Sequence, residues 1–120
     1  MKLSTRGRYG LRAMIDIAQC KDGSPIAIHS IAERQALSER YLEQLMVPLK
    51  RAGLVKSIRG SQGGYILGQD PATITAGDII RVLEGPIAPV DCISESNPEA
   101  CARAEGCITR ILWTEVRDSI

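Results

Sequence analysis

A glycine-rich run between two short strand-like segments constrains the fold of this chain most. The residues from Gly60 to Gly64 read GSQGG, and branched or aromatic residues flank them at Leu54–Arg59 and Tyr65–Leu67. This pattern predicts a two-stranded hairpin with a glycine-rich tip. A phosphate-binding loop is excluded, because no Lys-Ser or Lys-Thr follows the last glycine and the run does not connect a strand to a helix.

Three amphipathic helices are predicted ahead of the hairpin. The first covers Tyr9–Gln19 and the second His29–Gln35, since apolar residues in both recur at the spacing of one helix face. The third begins after Ser38, a good N-cap residue, and ends at Gly53. Its predicted inward face consists of Leu42, Leu45, Met46 and Leu49.

Two further helices and a long loop are predicted after the hairpin. A capping box at Thr75–Asp78 starts a fourth helix, which Gly85 and Pro86 end. The chain then lacks periodicity until Cys107, where a last helix begins. The predicted fold class is therefore mainly α with a small β-hairpin. We expect a winged helix-turn-helix domain over residues 1–84, a cysteine-rich loop over 85–107 and a C-terminal helix over 108–120.

Charge is distributed unevenly along the 120 residues. Residues 1–60 carry eleven basic and five acidic side chains, whereas residues 61–120 carry four basic and nine acidic ones. This asymmetry indicates a first half that binds a polyanion, although charge alone is equally explained by a solvated surface. No segment approaches the roughly 18 apolar residues of a membrane helix, and no signal sequence is evident. We therefore expect a cytoplasmic protein without a membrane partner.

The order of the predicted elements is that of a winged helix-turn-helix, whose third helix lies in the DNA major groove. Gln44 can pair with adenine and Arg40 with guanine or phosphate, while Arg59 at the hairpin tip can enter a narrow minor groove. Taken singly, an exposed Arg or Gln on a helix usually serves only solubility, and glycine-tipped hairpins are common in folds that bind no DNA, so the prediction rests on the combination. The predicted DNA-binding residues are Ser38, Arg40, Tyr41, Glu43, Gln44, Ser57, Arg59, Gly60, Ser61, Gly63 and Gly64.

Three of the four cysteines lie close together in the sequence, at Cys92, Cys101 and Cys107. They lack the close Cys-x2-Cys pairs of structural zinc sites, so the spacing leaves an iron–sulfur cluster, a zinc site and redox-active thiols as alternatives. We predict that Cys20, at the end of the first helix, is a small buried apolar residue. Because no catalytic constellation accompanies the thiols, we expect a protein that is not an enzyme.

Several motifs resemble the IscR-like family of bacterial winged-helix repressors: RYLEQL at 40–45, AGLV at 52–55 and RGSQGGY at 59–65. The similarity covers nearly the whole chain. It implies a homodimeric transcription regulator that binds a palindromic operator on double-stranded DNA and controls iron–sulfur cluster assembly genes. The three cysteines would hold the cluster as metal ligands, with 2Fe–2S the expected type and 4Fe–4S the alternative, and Glu43 would tune which DNA sequences are accepted. The last helix would form the dimer through Ile108, Ile111, Leu112 and Val116.

The chain departs from the family pattern at the fourth cluster ligand. Arg110 stands where the best-known members have a histidine, and a charged guanidinium has no lone pair to donate. Arg8 stands where a nitric-oxide-sensing relative uses an aspartate from the partner chain. Glu105, another loop carboxylate, a solvent species or a partner residue remain candidates. The alternative functions are a zinc- or thiol-switched winged-helix repressor and a small metal or redox carrier.

Overall fold

The computed structural model describes residues 3–20, 22–89, 93 and 106–120. The helices are α1 (Thr5–Ala18), α2 (Ile28–Gln35), α3 (Glu39–Arg51), α4 (Ala76–Glu84) and α5 (Ile108–Ser119), and the strands are β1 (Val55–Ile58) and β2 (Gly64–Leu67). A 3₁₀ turn at Pro71–Thr73 precedes α4. This architecture confirms the predicted class, mainly α with one hairpin. None of the helices within the described ranges is long and apolar enough to cross a membrane.

Helix α1 begins one turn earlier than the apolar pattern predicts, at Thr5 rather than Tyr9. Ser4 is its N-cap, and the Ser4 hydroxyl oxygen accepts a hydrogen bond from the backbone N–H of Arg6 at 3.2 Å. Its first turn is exposed except at Gly7, so no apolar side chain marks it in the sequence. The N-cap, rather than the periodicity, defines the start of this helix.

The helix-turn-helix is formed as predicted by α2 and α3. Ala36 adopts the left-handed conformation after α2, with φ of 55°, and the chain reverses there. Ser38 caps α3, since its hydroxyl oxygen accepts a hydrogen bond from the backbone N–H of Tyr41 at 3.1 Å. The predicted inward residues of α3 are all buried: Leu42, Leu45, Met46 and Leu49.

Strands β1 and β2 pair antiparallel from Val55 opposite Leu67 to Ile58 opposite Gly64. Ile26 adds an antiparallel bridge to Tyr65, which ties the segment before α2 to the outer side of the hairpin. The core lies between the first four helices and the base of the hairpin. It contains Ala13, Met14, Ile17, Ile31, Ala32, Leu42, Leu45, Met46, Leu49, Leu54, Val55, Ile79 and Leu83.

The last turn of α4 packs closely against α1 because α1 carries two glycines there. A Cβ atom on Gly10 would lie 2.0 Å from the Cδ1 atom of Leu83, and one on Gly7 would lie 2.7 Å from the Oε1 atom of Glu84. Glycine weakens a helix by roughly 1 kcal/mol relative to alanine. Here the absence of a side chain lets the two helices approach.

Helix α5 leaves its large apolar residues exposed. Ile108 is 83% exposed, Ile111 66%, Leu112 53% and Trp113 38%. Its C-terminal end is held by the rest of the chain, because Arg117 donates from Nη1 to the carbonyl oxygen of Ile93 at 2.9 Å. The apolar stripe itself is not covered by the described part of the chain.

Candidate nucleic-acid interface and cysteine site

The first turns of α3 present polar side chains opposite the buried face. Arg40, Glu43 and Gln44 are all exposed, as the sequence predicts. The helix N-terminus adds backbone N–H groups and the positive end of the helix dipole, both of which favour a phosphate. This surface can therefore contact both a phosphate and base edges.

Tyr41 is held in place by α1. Its hydroxyl group donates to the Oγ1 atom of Thr5 at 3.2 Å, and its ring meets the ring of Tyr9 edge to face, with centroids 6.0 Å apart. The guanidinium carbon atoms of Arg12 and Arg8 lie 5.1 Å and 5.9 Å from the centre of the Tyr9 ring. Two cations of α1 thus lie beside the aromatic pair that joins α1 to α3.

Sequence reasoning missed this contribution of α1 to the candidate interface. The apolar pattern starts the first helix at Tyr9, which leaves Thr5 outside it. Ser4 is the signal that could have extended the helix, because serine is a preferred N-cap. The pairing of Thr5 with Tyr41 spans 36 positions and has no local signature.

Tyr65 of β2 lies within the electrostatic influence of Glu43, on the exposed face of α3. Burial raises the pKa of the Tyr65 hydroxyl, and the negative charge of Glu43 raises it further. The charge of Glu43 thus acts on the second strand as well as on the exposed face of α3.

The glycines at the hairpin tip have different surroundings. Gly60 has φ of +114°, and no atom lies within 4 Å of where its Cβ would be. A Cβ on Gly63 would lie 2.0 Å from the carbonyl oxygen of Ile58, and one on Gly64 would lie 2.2 Å from that of Ile26. Gly60 therefore leaves space for a ligand, whereas Gly63 and Gly64 allow close packing within the protein. The other predicted hairpin residues are exposed: Ser57, Arg59 and Ser61.

A buried carboxylate joins α1 to α2. Asp16 accepts two hydrogen bonds from Arg34, at 2.6 Å from Nη2 and 2.9 Å from Nε, and a third from Gln35 at 2.9 Å. The hydrogen bonds from Arg34 hold the pKa of Asp16 below its usual value, against the opposite effect of burial. Arg12 extends the network by donating to the Oε1 atom of Gln35 at 3.0 Å. These hydrogen bonds join α1 to the last turn of α2.

Of the three clustered cysteines, the described residues include only Cys107. It is half-buried and is the N-cap of α5, and its Sγ atom lies 2.9 Å from the Oγ1 atom of Thr109. A helix N-terminus favours the thiolate form, which is the form that binds iron or zinc. The structure does not describe Cys92, Cys101 or Glu105. Among the residues that it does describe, no group of three His, Cys, Asp or Glu side chains could hold a metal.

Arg110 and Cys20 also bear on the cysteine chemistry. Arg110 is exposed on the first turn of α5, near Cys107 but without an atom that could ligate a metal. Cys20 differs from its prediction. It is half-buried because it lies just beyond the end of α1, and its thiol donates to the Oδ1 atom of Asp22 at 3.1 Å.

Comparison with known proteins gives one family and several close relatives. The Rrf2 family model, described as an iron-dependent transcriptional regulator, matches residues 3–120. CymR of Bacillus subtilis is 52% identical over 120 residues, which are all of this chain and 80% of the relative. Its solved structure, titled the global cysteine regulator, has a TM-score of 0.79 at 53% identity and covers 99% of this chain and 85% of that one.

Relatives named IscR also match. The structure of T. potens IscR has a TM-score of 0.72 at 48% identity and covers 99% of this chain and 76% of that one. IscR of Escherichia coli is 36% identical over 120 residues, which are all of this chain and 72% of the relative.

Proposed function

Because this chain belongs to the Rrf2 family of DNA-binding transcriptional regulators, we propose that it binds a palindromic operator as a homodimer and responds to an iron–sulfur cluster. The named relatives are transcriptional regulators, and the chain is a regulator rather than an enzyme. The division into a DNA-binding unit at 1–84, a cluster-binding segment at 85–107 and a dimerisation helix at 108–120 is part of this proposal.

The exposed polar face of α3 beside the hairpin is the observation that carries the DNA-binding proposal. In this arrangement α3 lies in the major groove, where Gln44 and Arg40 contact base edges or phosphates. Arg59 reaches the flanking minor groove, and Gly60 leaves room for the DNA backbone. Ser38, Tyr41, Ser57 and Ser61 position the protein on phosphates. Gly63 and Gly64 act through the shape of the hairpin.

Two substitutions test this interface against a duplex selected by the wild-type protein from a random pool. Arg59→Ala should weaken binding roughly 5- to 150-fold and lower the salt dependence, because a cation near the phosphates is lost. Arg110→Ala, which removes the same charge from α5, should have little effect. Unchanged affinity of Arg59→Ala would exclude the hairpin from the interface.

Glu43 is proposed to set sequence preference rather than affinity for phosphate. A carboxylate next to the bases disfavours some base pairs, so Glu43→Ala should accept more sequences while the slope of affinity against salt stays the same. Binding to a panel of single-base variants of the selected duplex measures this effect. An equal change on every sequence would contradict the role.

The cluster proposal is supported by the donor set, since Cys92, Cys101 and Cys107 supply three thiolates within sixteen residues. Thiolates are the usual ligands of iron–sulfur clusters, and Cys107 lies where the helix dipole favours its ionised form. A bound cluster would supply sensitivity to iron, oxygen and redox state. Cluster assembly genes are the proposed targets, by the resemblance to IscR.

Purification without oxygen tests the cluster directly, by visible spectrum and by iron and sulfide analysis. We expect brown protein with iron and acid-labile sulfide, lost in Cys92→Ala and kept in Cys20→Ala, the matched cysteine outside the cluster segment. Colourless protein after anaerobic reconstitution, with zinc or no metal, would overturn the cluster and leave a zinc- or thiol-switched repressor.

The thiol-switched repressor is the second candidate because the similar CymR structure is titled a cysteine regulator. A metal or redox carrier, the third reading, predicts no specific DNA binding. Affinity for DNA that falls steeply with salt separates a regulator from a carrier, since only phosphate contacts release counterions.

A further inference from the structure

The end of α4 is attached to the start of α1 through one carboxylate oxygen. The Oε1 atom of Glu84 accepts hydrogen bonds from the backbone N–H of Ser4 at 3.0 Å, from the backbone N–H of Gly7 at 2.8 Å and from the Ser4 hydroxyl group. Arg6 reinforces the contact by donating from Nε to the carbonyl oxygen of Leu83 at 3.2 Å. Glu84 thus satisfies N–H groups that a helix start leaves without internal partners.

The contact depends on charge and on the glycine beside it. Burial raises the pKa of Glu84, but the hydrogen bonds from Ser4 and Gly7 and the charge of Arg6 outweigh it and hold the pKa below its usual value. Glu84 is therefore ionised at neutral pH. Glycine at position 7 leaves room for this carboxylate, since a Cβ there would lie 2.7 Å from the Oε1 atom of Glu84 and would displace it.

The turn of α1 that Glu84 holds is also the turn that contacts α3. Thr5, between the two anchored residues, accepts the hydrogen bond from the Tyr41 hydroxyl group at 3.2 Å. Tyr9, one turn further along α1, packs against the ring of Tyr41. A path of direct contacts therefore runs from Glu84 through the first turn of α1 to the first turn of α3.

Glu84 lies at the boundary between the fold and the cysteine segment. It is the last residue of α4, and Gly85 ends the helix with φ of +93°. Ile87, three positions further along, is fully buried and anchors the chain that leads to Cys92. Glu84 therefore joins the end of α4 to the start of α1 just before the cysteine segment begins.

We propose that Glu84 is a positioning residue for DNA recognition, which fixes the first turn of α1 and, through Thr5 and Tyr41, the start of α3. This inference rests on the proposed DNA-binding function. Glu84 itself need not contact DNA, so its loss acts on the geometry of α3 rather than on the number of phosphate contacts.

The test compares DNA affinity of Glu84→Ala, Glu84→Gln and Glu33→Ala, using the duplex selected by the wild-type protein. Glu33 is an exposed carboxylate of α2, so its removal controls for the loss of one negative charge. Removing negative charge alone favours binding to DNA. We expect the opposite for Glu84→Ala, namely affinity about 5- to 150-fold weaker with an unchanged salt slope. Glu84→Gln, which keeps an acceptor oxygen, should restore part of the loss.

A double substitution shows whether the effect passes through Tyr41. If it does, Glu84→Ala combined with Tyr41→Phe should lose less affinity than the product of the two separate losses. Losses that multiply, or a folded Glu84→Ala with wild-type affinity, would overturn the inference while leaving the proposed function intact. If Glu84→Ala does not fold, the DNA affinity of Gly7→Ala is measured instead, because the added Cβ displaces the same carboxylate. A wild-type protein that selects no duplex would overturn both proposals.

Discussion

Asp16 shows how one residue connects local chemistry to the stability of the whole domain. It is the buried charged side chain of the described core, and Arg34 and Gln35 satisfy its oxygens. A buried carboxylate that has lost its partners destabilises the fold by far more than an intact buried ion pair stabilises it. The network is therefore a condition for the packing of α1 on α2.

Arg34→Met should lower the free energy of unfolding at pH 7 by about 1 to 3 kcal/mol, because it leaves the Asp16 carboxylate with fewer donors. The value lies below that for a fully buried pair, since the Arg34 side chain is half exposed. Urea denaturation measures the change, and Arg40→Met is the matched control on an exposed arginine. Equal stability of the two variants would contradict the assignment.

The same pair should respond to acid in a defined direction. The pKa of Asp16 is lower in the folded protein than in the unfolded chain, so its contribution is complete above a pH of about 4 and is lost as pH falls through the folded pKa. The stability difference between wild type and Arg34→Met should therefore shrink in acid. Urea titrations at a series of pH values measure it, and a difference that does not change with pH would count against this account.

Among the elements, the hairpin depends on close backbone packing at its tip. Gly63 lies against the carbonyl oxygen of Ile58 and the backbone of Arg59 and Gly60, none of which can rotate away as a side chain would. The shape of the tip, and so the position of Arg59, therefore depends on a residue that need not contact DNA.

Gly63→Ala should destabilise the hairpin by about 1 to 3 kcal/mol, since the added methyl group overlaps backbone atoms. Amide hydrogen exchange of β1 and β2 would measure this, and DNA affinity should fall in parallel. Ser61→Ala, at an exposed position of the same tip, is the control for exchange. Unchanged exchange in Gly63→Ala would show that the tip adapts.

Elements with an apolar face could be predicted from the sequence, and those fixed by long-range contacts could not. The buried face of α3 is predicted correctly because burial selects apolar residues at helical spacing. The first turn of α1 was missed because it is polar, and the bridge from Ile26 to Tyr65 joins segments far apart in the chain. In the candidate site, residues on α3 follow from element order, whereas the contact of Glu84 with Ser4 spans 80 positions and requires the tertiary structure.

At the scale of the molecule, the exposed apolar stripe of α5 is the feature that most requires a partner. Exposure of these apolar side chains to water is unfavourable, and a second copy of the helix would cover them. The dimer follows from this stripe as a proposal, together with the two half-sites of a palindromic operator.

Ile111→Glu should convert the dimer to a monomer, because burying a carboxylate in an apolar interface is strongly unfavourable. Sedimentation velocity measures the mass, and DNA affinity should fall with it. Arg110→Ala changes the net charge by the same amount and should remain dimeric. A dimer of unchanged affinity in Ile111→Glu would place the interface elsewhere.

The two proposals together predict coupling between the cysteine segment and the DNA. Removing the metal by chelation should change the DNA affinity of the wild-type protein about 5- to 150-fold, the usual range for coupled sites. In Glu84→Ala this ratio should approach one, because the contact between α4 and α1 is lost. Titrations of the same duplex with reconstituted and chelated protein measure it, and a ratio retained in Glu84→Ala would place the coupling on another path.

The exposed stripe of α5 also makes operator occupancy depend on the concentration of the regulator. If only the paired form occupies the operator, then in dilute conditions the paired fraction grows with the square of the number of chains made, as mass action requires. Halving gene dosage would then reduce operator occupancy about fourfold at low expression. A cell could therefore set the threshold of the response through synthesis and degradation of the chain, without altering its signal.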